Sequence, residues 1–236
     1  TTSEGSTIDA TVVSIDLTTG RETMWDHRVQ VLQDSTYGHV FRGFFQIVPG
    51  RTYRLEVRRS DGIMAWAETT VPRLERADRA ILGPVRTAQS GGRVMDVTLD
   101  GIPMPLNIRV IYRVDAALPQ RTTYISRYRT SGAPTADGSW KFTIDLERDM
   151  RVAQDSIRGV VTAEDKRAAL REMGVRSTVI TDAWRPPGGV FDPDVLVNPG
   201  VQSNVQNGFG FWGSYNTYSQ NWDVTEEFGS QFGWDY

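Results

Sequence analysis

The sequence has no cysteine. Disulfides, thiolate metal sites and cysteine nucleophiles are therefore excluded together, while the redox compartment stays open. Histidine is almost absent too: His27 and His39 are the only two, both in strand-like surroundings near the N-terminus. A metal or general-base role for either requires convergent partners, and isolated histidines are more often ordinary surface or core residues. Long apolar runs are missing. No stretch approaches the roughly 20 residues that cross a bilayer, and there is no signal-peptide apolar region. The chain opens Thr1-Thr2-Ser3 without methionine, which reads as a processed or trimmed start. Neither G-x-S-x-G nor H-E-x-x-H occurs. Lysine is limited to Lys141 and Lys166, so nearly all of the 26 basic side chains are arginine.

What is present is ordinary globular composition over 236 residues, 39% hydrophobic and 23% charged, enough for two domains with real cores. The net charge of −3 gives no case for nucleic acid. Its distribution is uneven. Arg185 is the last base, and six acids follow it, leaving a body of about +3 and a remainder of about −6.

Period-two alternation dominates. Thr7 to Asp16, Val29 to Leu32, Val40 to Val48 and Ile63 to Val71 read as strands. Thr52 to Arg59 is the clearest, with Tyr53, Leu55 and Val57 on one face, and Asp61-Gly62 supplies hairpin chemistry after it. Arg93 to Leu99, Leu106 to Val114, Thr123 to Arg129 and Trp140 to Leu146 form a second set, with Asp137-Gly138 as another hairpin signal before Phe142, Ile144 and Leu146. One helix is predicted near 163–173, capped by Thr162 and stopped by Gly174. Val175 to Trp184 returns to β, and an irregular stretch runs from Arg185 to Asn207. The expected fold is mostly β. A β-sandwich domain spans 1–90 and a second β-rich domain 91–214, divided near Gly91-Gly92, with an acidic aromatic tail at 215–236.

Gly208 to Gly213 spells G-x-G-x-x-G, but a dinucleotide fingerprint needs a helix after it, and this string is aromatic with no βαβ context. It is expected to be extended strand or loop. Asp192 and Asp194 with Asn198 and Asn204 offer oxygens in a loop that suit calcium, though Asx residues beside proline and glycine are ordinarily turn formers. Asp145 and Asp149 are the nearest approach to a carboxylate pair for hydrolysis. The C-terminal run carries the strongest partner signal. Trp222, Phe228, Phe232, Trp234 and Tyr236 alternate with Asp223, Glu226 and Glu227, combining ring area with uncompensated charge. This segment is expected to lie against a surface, either a partner chain or the second domain.

Two stretches resemble a known family. Phe45-Gln46-Ile47-Val48-Pro49-Gly50-Arg51-Thr52-Tyr53-Arg54-Leu55-Glu56-Val57, continuing through Asp61-Gly62 to Ala67-Glu68-Thr69-Thr70-Val71-Pro72, is one. Asn198-Pro199-Gly200-Val201-Gln202-Ser203-Asn204-Val205-Gln206-Asn207-Gly208-Phe209-Gly210-Phe211-Trp212-Gly213-Ser214 is the other. Together they are similar to uncharacterised envelope lipoproteins of Bacteroidota-like bacteria. The resemblance implies an N-terminal Ig- or transthyretin-like β-domain, export to the periplasm or cell surface, and lipid anchoring. The anchoring cysteine of that family is not in this sequence, and the family carries over no catalytic residue. The functional expectation is a non-catalytic extracytoplasmic accessory or structural subunit that docks on a membrane-associated assembly, with no cofactor or metal and no transmembrane segment of its own. Alternatives are a carbohydrate- or ligand-binding module using the C-terminal aromatics, and a carboxylate-dependent hydrolase.

Overall fold

The computed structural model describes residues 9–31, 37–75, 79–102, 105–116, 121–128, 134–158, 168–181, 183 and 203–234. The fold is mostly β, and the chain forms two compact units. One comprises Thr1–Arg73 with Ile180–Asn216, the other Leu74–Val179 with Thr217–Tyr236. The division therefore falls at Arg73/Leu74, not at Gly91-Gly92. Those glycines sit in the turn joining two antiparallel strands of one sheet. Each unit is also completed by a later return of the chain, which a linear reading of linkers does not foresee.

The first unit holds a four-stranded antiparallel sheet in the order β2-β1-β5-β6, built from β1 (Ala10–Asp16), β2 (Glu22–Met24), β5 (Thr52–Arg59) and β6 (Met64–Thr70). Gly62 closes the β5–β6 hairpin at φ +82°, the conformation that Asp-Gly supplies. One face carries Tyr53, buried as the alternation predicts, while Leu55 and Val57 are only half-buried. The other face holds a finding that alternation hides. Glu56 is buried, with Arg58 at 2.7 Å and Arg54 at 3.8 Å, and Arg54 also binds Glu68 while its guanidinium lies over the Trp66 ring. A buried carboxylate is tolerable only with such partners. The return segment 203–216 adds to this unit. Gln206 bridges to Trp66, and the Ser214 hydroxyl bonds Thr69 and Thr70. Between β2 and β5 the chain forms a separate two-stranded ribbon, β3 (Asp26–Val31) and β4 (Tyr37–Arg42).

The second unit pairs a three-stranded sheet, β11 (Trp140–Asp145), β8 (Arg93–Asp100) and β7 (Arg79–Thr87), with a four-stranded one. The latter is β10 (Arg121–Tyr128), β9 (Pro105–Ala116), β12 (Ala168–Ile180) and β13 (Tyr215–Asp223). The sandwich-like core draws on both sheets: Val97, Leu99, Phe142 and Ile144 from one, Ile108, Val110, Tyr112, Leu170 and Val175 from the other. Tyr218 and Gln220 of β13 tie the sheets together by bonding the backbone of Ala80 in β7.

Helix α1 (Leu146–Arg158) lines the same core. Leu146, Met150, Ala153 and Ile157 recur at helical spacing and are all buried, and the Asp145 carboxylate accepts the Arg148 N–H as a cap. Leu146 is thus the first helical residue and not the end of a strand. The helix expected near 163–173 is contradicted from Ala168 onward, where β12 begins; residues 163–167 lie outside the described set. Ala168, Ala169 and Leu170 have helical propensity, but as a central strand between β9 and β13 they are buried on both faces, and burial overrides propensity. Gly174 is no helix stop. It lies in β12 where a Cβ would collide with the Asn221 side chain of β13.

Candidate functional site

The C-terminal aromatics fold back on their own unit. Val224 N–H bonds the Arg171 carbonyl, and Thr225 then caps a short helix, α2 (Glu226–Ser230). Phe232 and Trp234 are buried in the core beside α1. The Trp234 indole N–H donates to Met150 Sδ at 3.3 Å, Gln154 Nε2 donates to the Phe232 carbonyl at 2.7 Å, and the Arg93 guanidinium stacks on the Phe232 ring at 4.0 Å. Trp222 and Phe228 are partly buried against the same cluster. The expected partner role is therefore corrected for Phe232 and Trp234: their area is already used internally, in the core that α1 also lines. Tyr236 lies outside the described residues. Asp223, Glu226 and Glu227 remain exposed.

The carboxylates do not form a reactive pair. Asp145 caps α1. Asp149 is 1% exposed, accepts the Tyr112 hydroxyl at 2.7 Å and lies 3.4 Å from Arg127 Nε. Substrate has no access to it. The glycine-aromatic string is irregular and leads into β13 rather than a helix, as expected. Asn204 is committed to holding that loop: its Oδ1 accepts Trp212 N–H at 2.8 Å while Nδ2 donates to the Trp212 carbonyl at 2.7 Å. It is thus no free calcium ligand, and Asp192, Asp194 and Asn198 lie outside the described residues.

Two features of the first unit went unseen in the sequence. The first is a cleft of about 310 Å³ at the end of β1. Asp16 and Arg51 form its ion pair at 2.7 Å, and Phe45 and Tyr53 form an aromatic wall with centroids 5.6 Å apart. Burial pushes the Asp16 carboxyl up. The Arg51 hydrogen bond, the Thr18 N–H, the Thr19 hydroxyl and the Arg51 charge outweigh it and leave the group below its ordinary value. Behind the wall the Trp25 indole N–H donates to Ser14 Oγ at 3.0 Å and its ring meets Trp212 edge-on at 5.6 Å, with Gly43 packed so closely that no Cβ would fit.

The second is the β3–β4 ribbon. Its register pairs His27 with Phe41, Val29 with His39, and Val31 with Tyr37, so all six share one face. Val29, Val31 and Tyr37 are 48%, 58% and 46% exposed. Just beyond β4, Phe44 is 88% exposed. A lone two-stranded ribbon is marginal in water, and this one displays its apolar side to solvent. The signal was readable in part: Val29, Val31, Tyr37, His39 and Phe41 fall at every second position of their strands, although Val40 interrupts the polar side, and such spacing does not say whether the apolar face is covered. The ribbon also brings together the two histidines, with His27 Nε2 and His39 Nδ1 2.9 Å apart.

Among the described residues no group of three or more His, Asp or Glu is placed to hold a metal, and no helix is long and apolar enough to cross a membrane. Comparison with known proteins gives no match to any family model, curated protein or solved structure.

Proposed function

We propose that this protein is a non-catalytic, extracytoplasmic accessory subunit that docks on a larger membrane-associated assembly. The docking surface is the apolar face of the β3–β4 ribbon. The observation that carries this reading is the exposure of Val29, Val31 and Tyr37 side by side on a ribbon that, among the described residues, pairs only with itself. Its partner is a protein of that assembly, offering an apolar patch over this face and an unpaired strand to a ribbon edge. Strand addition supplies main-chain hydrogen bonds, and burial of the valines and rings supplies affinity. The exposed acids Asp223, Glu226 and Glu227 of the second unit add negative charge that steers association at long range. The resemblance of 45–72 and 198–214 to exported lipoproteins supports placement outside the cytoplasm.

The test is co-purification of the full chain from native membranes, compared with a Val29→Glu/Val31→Glu variant. Because both side chains are exposed, the variant should stay folded and lose the assembly. Undiminished co-purification of the variant, or wild-type protein that migrates alone, would defeat the proposal. The cleft favours a second reading, a binding module for small hydroxyl-rich anions. Arg21 and Arg51 against Asp16 leave it net positive, beside an aromatic wall. That reading requires a uronic acid to perturb Trp25 fluorescence and Arg21→Ala to weaken the effect.

A further inference from the structure

We infer that His27 and His39 form a two-imidazole chelating site for a borderline divalent transition ion, of the copper, nickel or zinc class. His27 faces Phe41 and His39 faces Val29, so the two histidines are diagonal neighbours on one face of the ribbon. Antiparallel pairing fixes their backbones, and the facing nitrogens lie 2.9 Å apart.

That separation puts both rings within reach of one ion once they turn. Two imidazole nitrogens each about 2.0–2.1 Å from one ion, subtending about 90–110°, are about 2.9–3.4 Å apart. The ring planes are within 14° and the centroids 5.1 Å apart, so the rings meet edge to edge, not face to face. A single N–H···N bond joins them, and among the described residues it is the only hydrogen bond either ring makes. Such a bond in water adds little to stability, since water serves both groups equally well.

Chelation needs both facing nitrogens unprotonated. The proton they share moves through solvent to the outer nitrogen of its own ring, Nδ1 of His27 or Nε2 of His39, with no net proton lost from the neutral pair. Rotation about χ2, which is broad for histidine, then turns both lone pairs from each other toward the ion. The Phe41 ring, 4.9 Å from His27, backs the site on one side, and solvent completes the coordination on the other. Neutral imidazoles select copper, nickel and zinc over magnesium and calcium, which prefer oxygen. The site does not depend on the docking role.

The test is calorimetric titration of the full, untagged chain with copper(II), nickel(II) and zinc(II) salts. One ion per chain is expected, with copper held most tightly. His27→Gln and His39→Gln should each weaken binding by about tenfold or more, with circular dichroism unchanged because both rings sit on an exposed ribbon. Asp26→Asn, on the opposite ribbon face, should bind as wild type does. Absence of saturable binding overturns the assignment. So does binding that survives both histidine substitutions, or a loss in Asp26→Asn as large as theirs.

Discussion

Asp96 stands on the outer face of the three-stranded sheet, opposite Thr143 in the register of β8 and β11. It accepts hydrogen bonds from the Thr143 hydroxyl at 2.7 Å and from Arg86 at 3.0 Å, and Lys141 Nζ lies 3.2 Å away. The Thr143 hydroxyl first, and the Arg86 guanidinium after it, hold this carboxyl down from 3.8 to about 2. A carboxylate with a folded value below its unfolded one stabilises the fold above the unfolded value. That contribution is lost as pH falls through the folded value. In thermal melts, Asp96→Asn should therefore differ most from wild type above about pH 4, and the gap should close between about pH 4 and pH 2. A gap constant across that window would mean that Asp96 acts through packing and not through charge. Glu56 and Asp149 show the other way a carboxylate is kept: both are buried, one beside Arg54 and Arg58, the other bonded by Tyr112 with Arg127 nearby. Their partners bind them to the architecture, which is why carboxylate counting found candidates but no site.

At the scale of elements, several strands with one face buried and the other wet were legible, but β7 and β13, also partly exposed, were not. β5, β8, β9 and β11 lie within a few residues of where alternation put them. The doubly buried β12 was legible as a strand only from Val175 onward. β12 lacks alternation over Ala168–Leu170, and its alanines read as helix. Helix α1 carries a clear Leu146, Met150, Ala153, Ile157 stripe, but Leu146 also completes the alternation of β11, and the shorter period masked the longer one. Gly174 illustrates what a sequence cannot display, namely the partner strand. Its lack of a side chain makes room for Asn221. Gly174→Ala should destabilise the second unit by about 1–3 kcal/mol, read as a lower denaturant midpoint. Adding Asn221→Ala should recover part of that loss. A helix-stop role for Gly174 would give no such rescue, because Asn221 would not be its neighbour.

At the scale of the whole molecule, the chain passes between its two units at 73/74, 179/180 and 216/217, so neither unit is a contiguous stretch. Linker composition cannot reveal such interleaving, and it changes what the tail does. Residues 217–234 are a structural closure of the second unit: β13 completes a sheet, and Phe232 and Trp234 then seal the core over α1. Truncation after Asn221 removes both rings, each worth about 2–3 kcal/mol in buried apolar surface. It also removes the Gln154–Phe232 hydrogen bond and the Arg93 stack. Those losses are comparable with the whole stability of an ordinary domain. The truncated chain should therefore melt at a markedly lower temperature or lose the second unit's transition altogether. A triple Asp223→Asn/Glu226→Gln/Glu227→Gln variant separates closure from docking, since these side chains are exposed. It should melt like wild type, and it should associate with the native assembly more slowly and with less dependence on salt. If truncation instead leaves the melting curve intact, Phe232 and Trp234 do not close the core. The tail's rings would then have to be assigned to a partner after all.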